Sequence, residues 1–268
     1  MTRVAAIQMT STTDVEANLV DARRLIAEAA EAGAALCVLP ENFALMAGSR
    51  TQLLAAGEAY GAGPIQDAMG EAAKAHGIWV VAGSVPIATR DGDRVRAACI
   101  VYDAGGVAVA RYDKIHLFDV VLEGGESHSE SRTIEPGDEA VVVETPAGRL
   151  GLSICYDLRF PELYRRLLDE GAQLVAIPSA FTAFTGRAHW EPLVRARAIE
   201  NLVFVIAAAQ VGQHAKGRET YGHSMVVDPW GSVLAERAEG AGLVVADIDP
   251  DRIGALRVQL PSTEHRRM

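Results

Sequence analysis

The residue best placed for chemistry in this sequence is Cys155, which stands between an apolar segment and a proline. The strand-like segment 150–154 runs directly into the cysteine, and Pro161 is in a position to open a helix. A nucleophile on such a strand-to-helix turn can expose its sulfur while the backbone N–H groups that follow point at the same spot. The pattern therefore indicates a thiol that attacks a carbonyl carbon beside an oxyanion site. The alternative is a small buried apolar residue, as we expect Cys37 and Cys99 to be.

A thiol nucleophile needs a neighbouring base or cation, because an unperturbed cysteine has a pKa of about 8.5. The chain has seven histidines, and none lies in a context typical of cysteine hydrolases. Two charged residues follow apolar segments in a comparable way, namely Glu41 after 35–39 and Lys114 after 107–110. Either could activate the thiol, although a charge at the end of a strand is often simply solvated.

Three blocks of sequence surround these residues: Leu39-Pro40-Glu41-Asn42, Tyr112-Asp113-Lys114-Ile115-His116-Leu117-Phe118 and Ser153-Ile154-Cys155-Tyr156-Asp157-Leu158-Arg159-Phe160-Pro161. In order and spacing they resemble the signature motifs of the nitrilase superfamily of carbon-nitrogen hydrolases, and the similarity extends over nearly the whole chain. The resemblance implies an α/β fold, a four-layer α-β-β-α sandwich in which helices flank two mixed sheets. It also implies a homodimer or higher homo-oligomer that pairs through helices next to the active site.

The same resemblance implies that Glu41, Lys114 and Cys155 are the catalytic residues of an amidase. Glu41 would act as general base toward the thiol and then protonate the leaving nitrogen. Lys114 would stabilise the tetrahedral oxyanion together with the backbone N–H of Tyr156. Water activated by Glu41 would then hydrolyse the thioester. This cycle requires neither a metal nor a cofactor.

Many members of the superfamily have a second glutamate between the lysine and the cysteine. The context of Glu130 best resembles the family's block, so we expect this residue to orient Lys114 and the substrate. It could otherwise be a solvated loop carboxylate, and we expect His116 to hold structure. The other carboxylates of the same polar segment are Glu123, Glu126 and Glu135.

Four downstream segments resemble the branch of the superfamily that contains deaminated glutathione amidase and ω-amidase. They are 178–186, 188–191, 195–201 and 221–231. Enzymes of this branch remove an amide from an α-keto acid, so we expect a small carboxylate substrate, with deaminated glutathione as the first candidate. The alternatives are α-ketoglutaramate, N-carbamoyl amino acids, aliphatic amides, nitriles and a non-catalytic dimeric scaffold.

Arg159 is a candidate for binding the substrate carboxylate, because its planar guanidinium can donate two parallel hydrogen bonds to the two carboxylate oxygens. Phe181 and Thr185 would line the pocket beside it. Arg159 could instead bridge layers of the fold or dimer partners. The segment 43–50 departs from the family's pattern next to Glu41, which leaves the acyl group open.

Eleven short apolar segments rich in Val, Ile and Ala are candidate strands for positioning these residues. Helical periodicity covers four further segments and alternates with the strands, which indicates layers of helices on sheets. Turn sequences at 102–107 and 228–233 indicate hairpins and therefore mixed sheets. The segment 120–138, with Gly124-Gly125, has no period and predicts a long ordered loop. The strand candidates are 4–9, 35–39, 78–82, 98–102, 107–110, 141–143, 150–154, 174–177, 202–208, 224–227 and 243–248, and the helix candidates are 15–29, 65–75, 161–169 and 190–201.

Composition limits the class of protein. The 268 residues are 49% hydrophobic and 22% charged, which predicts one globular domain over residues 1–268. The net charge of −10 argues against a nucleic-acid partner. Three scattered cysteines indicate a reduced compartment, and the longest apolar run is far shorter than a membrane span. We therefore expect a cytoplasmic protein with a small-molecule substrate and no Gly-rich nucleotide site.

Overall fold

Strands make up the centre of the protein in a computed structural model, which describes residues 1–121 and 127–267. The strands within these residues are β1 (Thr2–Gln8), β2 (Leu36–Val38), β3 (Trp79–Ala88), β4 (Val95–Tyr102), β5 (Ala108–Asp113), β6 (Asp119–Val121), β7 (Ser127–Ser129), β8 (Val142–Thr145), β9 (Gly148–Leu152), β10 (Leu174–Ala176), β11 (Phe204–Ala207), β12 (Val211–Gln213), β13 (Glu219–Tyr221), β14 (Ser224–Val227), β15 (Val233–Arg237) and β16 (Gly242–Ile248).

The strands form two mixed sheets of six strands that share one pattern. The first sheet has the order β16-β1-β2-β3-β4-β5, and the second has the order β15-β14-β11-β10-β9-β8. In each sheet three neighbouring strands are parallel, β1 to β3 and β9 to β11, and the outer pairs are antiparallel. Two short antiparallel ribbons, β6 with β7 and β12 with β13, lie outside the sheets.

Helices cover the outer faces of the two sheets. Helices α1 and α3 pack on the first sheet, whereas α4 and α5 pack on the second. The inner faces of the sheets meet each other, so the predicted α-β-β-α sandwich is confirmed. The helices of the described residues are α1 (Val15–Glu31), α2 (Arg50–Ala55), α3 (Pro64–His76), α4 (Pro161–Asp169), α5 (Ala183–Asn201) and α6 (Arg252–Gln259).

Strand β1 contributes apolar side chains to both faces of the first sheet. Val4 and Ala6 belong to the apolar cluster between the sheets, together with Leu150 of β9. Ala5 and Ile7 belong to the cluster under α1 and α3. Successive side chains of a strand point to opposite faces, so a strand that is apolar at every position is buried on both.

All eleven predicted strands and all four predicted helices are present, but several boundaries differ. Helix α5 starts at Ala183, seven residues before the predicted start at Trp190. Thr182 caps it by accepting a hydrogen bond from the Thr185 N–H. Thr185, Gly186 and Pro192 have low helix propensity, so propensity alone predicts no helix over this segment. Packing against the second sheet stabilises the helix.

The prediction of a long loop over 120–138 is wrong in part. This segment contains most of the β6–β7 ribbon and a 3-10 helix, Glu130–Arg132. Strands of three residues are too short to show an alternating pattern, and backbone pairing holds them. Gly124-Gly125, Glu123 and Glu126 lie outside the described residues. No helix in the described ranges is long and apolar enough to cross a membrane.

Candidate active site

Cys155 stands at a sharp turn between β9 and the 3-10 helix Cys155–Arg159. Its φ is +48°, in the left-handed region that favours glycine. The Cys155 N–H donates to the Pro178 carbonyl oxygen at 2.8 Å, which helps to hold this conformation. Strained backbone at a non-glycine residue is typical of functional sites. The turn brings the thiol to a cleft, as the strand-to-helix pattern predicts.

Asp157 ties this turn to the end of β5, and sequence reasoning missed it. Its side chain is fully buried. Oδ2 accepts from the Tyr112 hydroxyl at 2.7 Å and the Ile154 N–H at 2.8 Å, while Oδ1 accepts from the His116 N–H at 3.0 Å and His116 Nδ1 at 2.7 Å. Tyr112 and His116 flank Lys114, so this carboxylate fixes the lysine segment relative to the cysteine turn. His116 holds structure, as expected.

The backbone N–H of Tyr156 is the one amide at the start of this 3-10 helix that the described chain leaves without an acceptor. The Cys155 N–H is used by Pro178, and the Asp157 N–H donates to the Ile154 carbonyl at 3.0 Å. The first amides of a helix have no partner within the helix and bind other acceptors. An oxygen atom near Sγ would supply one for Tyr156.

Glu41 follows β2 and is held on both sides. Its carbonyl oxygen accepts from Gln210 Nε2 at 3.1 Å, and the N–H of Asn42 donates to Ser84 Oγ at 2.8 Å. Behind it, the backbone of Gly83 approaches so closely that a Cβ there would lie 2.1 Å from the Pro40 carbonyl oxygen. The Glu41 side chain is 5% exposed. A carboxylate this buried requires a charged or hydrogen-bonding partner.

Lys114 is that partner. Its Nζ donates to Glu41 Oε1 at 2.8 Å and to both carboxylate oxygens of Glu130 at 2.8 and 2.9 Å. The backbone of Lys114 is tied to β4, because its N–H donates to the Ala97 carbonyl at 3.0 Å. The Lys114 side chain is 1% exposed, and these two carboxylates hold its ammonium in position.

Burial and charge set the protonation states of these groups. Burial lowers the pKa of Lys114, but Glu130 and Glu41 together raise it well above its usual value. Burial raises the pKa of Glu41, but the Lys114 charge outweighs it and the net pKa is lowered. Burial and then the Glu41 charge raise the pKa of the Cys155 thiol well above its usual value. The resting site therefore contains an ammonium, a carboxylate and a neutral thiol.

Glu130 begins the short 3-10 helix that follows the β6–β7 ribbon. Its Oε2 also accepts from the Phe118 N–H at 2.7 Å, so the carboxylate accepts three hydrogen bonds, two from Lys114 Nζ and one from Phe118. The Glu130 side chain is 24% exposed, in contrast to Glu41. Glu130 is therefore in direct contact with Lys114.

One cleft contains all eight residues predicted for the site. Glu41, Lys114, Glu130 and Cys155 line it together with Tyr156, Arg159, Phe181 and Thr185. The last two are nearly buried at the start of α5, where Thr185 Oγ1 lies 2.9 Å from Thr182 Oγ1.

Arg159 lies over two aromatic rings of this cleft. Its Cζ is 5.3 Å from the centre of the Phe181 ring and 5.8 Å from that of Tyr156. Nη1 lies 3.3 Å from His189 Nδ1. In the described ranges Arg159 has no carboxylate partner, so its charge is available to an anion.

Sequence reasoning missed four further residues of the cleft. They are Phe118, Ala180, Thr182 and Arg218. The Ala180 backbone amide contacts the Cys155 sulfur and stabilises its charged form. Phe118 lies in the lysine motif, so its place beside Glu130 could have been expected, whereas Arg218 lies outside the motif blocks, three residues before the segment 221–231.

The other two cysteines are core residues. Cys37 and Cys99 are both fully buried, and burial raises the pKa of Cys37 to about 12 and that of Cys99 further. Their neutral, inaccessible thiols are inert, as expected from the sequence. Among the described residues, no group of three or more His, Cys, Asp and Glu side chains could hold a metal ion.

Comparison with known proteins identifies the family of the chain. The family model described as carbon-nitrogen hydrolase matches residues 3–258. A deaminated glutathione amidase from Synechocystis sp. (strain PCC 6803 / GT-S) is 44% identical over 98% of this chain and 97% of its own. The crystal structure of the C. elegans NitFhit protein superposes with a TM-score of 0.92 at 41% identity. That match covers 99% of this chain, which spans 65% of the length of NitFhit.

An amidase from Nesterenkonia sp. AN1 superposes with a TM-score of 0.84 at 27% identity, over 99% of this chain and 94% of the amidase. Its mutant structure contains the acetamide moiety of fluoroacetamide covalently added to the active-site cysteine. The family model covers most of the chain, and the relative is similar over nearly its full length. The protein therefore belongs to the carbon-nitrogen hydrolase family of the nitrilase superfamily and is an enzyme that acts on amides.

Proposed function

We propose that this enzyme hydrolyses the amide bond of a small carboxylate substrate through a thioester on Cys155. The observation that carries the proposal is the arrangement around one ammonium: Lys114 Nζ is held at 2.8 Å by both Glu41 and Glu130, in the cleft that contains the strained Cys155 turn. Nucleophile, base and oxyanion donor are the three groups that acyl transfer requires.

In the first half of the reaction, Sγ attacks the amide carbon as its proton moves to Glu41. The neutral resting thiol and the ionised Glu41 support this direction of transfer. Negative charge develops on the carbonyl oxygen, where Lys114 Nζ and the unused Tyr156 N–H are the donors. Removing one such donor typically reduces kcat by about 100- to 1000-fold. Glu41 then gives its proton to the nitrogen as the C–N bond breaks, which leaves the thioester.

In the second half, water replaces the amine. Glu41 takes a proton from the water as its oxygen attacks the thioester carbon, and Lys114 and Tyr156 again stabilise the oxyanion. The C–S bond breaks, the thiolate regains the proton from Glu41, and the carboxylic acid product leaves. Glu130 keeps Lys114 oriented in both halves without carrying a proton.

We propose deaminated glutathione as the substrate. It has an α-keto acid with a carboxylate on the acyl side of its amide bond and a dipeptide with a second carboxylate on the other side. The name of the Synechocystis relative and the cationic side chain of Arg159 support this choice. Since the protein carries a net charge of −10, local cations must attract an anionic substrate. Arg159, on the Tyr156 side of the cysteine, would bind the carboxylate of the acyl group.

Mass spectrometry of the acid-quenched protein tests the reaction and the substrate together. Incubation with deaminated glutathione should add the α-ketoglutaryl group to the peptide that contains Cys155. Cys155→Ala should give neither adduct nor product. Cys99→Ala is the matched control, because this buried thiol lies outside the cleft, and it should retain both. Turnover by Cys155→Ala, or no reaction with wild type, would contradict the proposal.

We also propose that two copies of the chain associate through the α5 side, as the family resemblance implies. Large apolar side chains are exposed there, with Ile199 at 46% and Trp230 at 63%. Ile199 reaches Gly231, next to Trp230, so the two residues lie on one surface. Sedimentation velocity should show a dimer that Ile199→Asp weakens; a monomeric wild type would contradict the proposal.

A further inference from the structure

Arg218 is a cation of the cleft that the reaction described above does not use. It follows the 3-10 turn Ala215–Gly217 between β12 and β13 and lines the cleft with Glu41 and Cys155. The described residues offer it one hydrogen-bond acceptor, the Ala180 carbonyl oxygen, 3.1 Å from Nη2. Its Nε is buried and has no acceptor in the described chain. A guanidinium with most of its donors unused can still bind a carboxylate.

In the part of the chain that the structure describes, the two carboxylates of the cleft form ion pairs with Lys114 and not with the arginines. Lys114 contacts both carboxylates, Glu41 and Glu130. Arg159 and Arg218 have no carboxylate partner in residues 1–121 and 127–267. Two unpaired guanidiniums in one cleft match a substrate with two carboxylates.

The two arginines make different contacts: Arg159 lies over the Tyr156 and Phe181 rings, whereas Arg218 donates to the Ala180 carbonyl. Arg159 is stacked by Tyr156, whose N–H faces the acyl oxygen in the proposed reaction. The charge of Arg218 instead acts on Glu41 and lowers the pKa of that carboxyl. Glu41 must reach the leaving nitrogen to protonate it, and Arg218 lines the cleft together with Glu41.

The turn that precedes Arg218 belongs to the rim of the cleft. Residues 215–217 are exposed, while Arg218 itself is half-buried. His214 anchors the turn: its Nδ1 donates to the Ser11 carbonyl at 2.9 Å, and its Nε2 accepts from Thr220 Oγ1 at 2.7 Å. A long leaving group can extend toward this rim because residues 215–217 are exposed, whereas Phe181 of the same cleft is buried.

We propose that Arg218 binds the carboxylate of the leaving group and so gives the enzyme its preference for amides with an anionic amine portion. The inference rests on the proposed function and deepens it, because Arg218 would separate a substrate that releases a dipeptide from one that releases ammonia. A substrate carboxylate that pairs with Arg218 also weakens the effect of the Arg218 charge on Glu41. The pKa of Glu41 then rises, which makes Glu41 a better base when the correct leaving group is bound.

The experiment compares two substrates with the same acyl group. One is deaminated glutathione, and the other is the same compound with its glycine carboxylate converted to a primary amide. Both form the same thioester, so deacylation is identical and differences in kcat/KM report only on the leaving group. Wild type should prefer the carboxylate form by about 10- to 100-fold, as expected for a charge-assisted hydrogen bond.

Arg218→Met should lose this preference, so that its kcat/KM values for the two compounds agree within about threefold. Lys216→Met is the matched control, because it removes an exposed cation of the same turn, and it should keep the preference. Thermal melts of all three proteins should agree, which verifies that the turn stays folded.

Two outcomes would overturn the inference and leave the proposed function intact. The first is a wild type that hydrolyses both compounds at equal rates. The second is an equal loss on both compounds in Arg218→Met, which would mean that the residue acts only through Ala180 or Glu41. A wild type that hydrolyses neither compound would instead overturn the proposed substrate.

Discussion

Replacing Asp157 with Asn tests whether one buried carboxylate holds the cysteine turn against the lysine segment. Asn has almost the same shape, but it presents an NH₂ group where Asp has its second oxygen. Both oxygens of Asp157 face two donors each: Oδ1 faces the N–H and Nδ1 of His116, and Oδ2 faces the Tyr112 hydroxyl and the Ile154 N–H. The NH₂ group therefore meets two donors in either orientation of the amide.

The minimum loss follows from which donors can adapt. The Tyr112 hydroxyl can rotate, and the His116 ring can change tautomer, so each can turn into an acceptor. The backbone N–H groups of Ile154 and His116 cannot, so at least one buried N–H loses its acceptor. An unsatisfied buried donor costs about 1–3 kcal/mol, and the lost charge on the remaining bonds adds to this. We expect Asp157→Asn to reduce the free energy of unfolding by about 2–4 kcal/mol.

Urea unfolding followed by circular dichroism measures this difference, and kcat/KM should fall as well, because Cys155 and Lys114 lose their common support. Asp247→Asn is the matched control: Asp247 also uses both oxygens, on Arg3 at 2.9 Å, but its side chain is 46% exposed. Exposed pairs contribute at most about 1 kcal/mol, so this variant should lose less. Equal losses in the two variants, or a loss below about 0.5 kcal/mol at Asp157, would refute the reasoning.

Three other perturbations have defined outcomes. Glu130→Gln removes one charge from Lys114 and should lower kcat/KM by about 10- to 100-fold with little change in melting temperature; an unchanged rate would contradict the orienting role. Burial lowers the pKa of His214 in the fold, so the folded state binds fewer protons and stability should fall as the pH drops below about 6.5. His214→Gln should show a shallower pH dependence in urea titrations, and an identical slope would exclude His214 as its source. Gly83→Ala should destabilise the protein by about 1–3 kcal/mol and reduce kcat, because its Cβ would press on the Pro40 carbonyl next to Glu41; wild-type kcat would show that Glu41 does not depend on this contact.

Residues beside buried strands could be predicted because burial leaves a local pattern. The strands β2 and β9 each end in three buried residues, and Glu41 and Cys155 each stand three residues after the strand end. Motifs of this kind are continuous in sequence, so one chain was enough to find them. The β6–β7 ribbon was missed because three residues per strand are too few for a period.

The amino-acid sequence by itself determined the layered α/β fold, the carbon-nitrogen hydrolase family and the three residues at the centre of the cleft. Only the tertiary structure decided which distant groups join them. Asp157 reaches back to Tyr112 across the two sheets, and Arg218 reaches Ala180 from a turn 38 residues away. A single charged residue in a turn has no periodicity and no fixed neighbours, because its partner is set by how the sheets pack and where the connecting segments return.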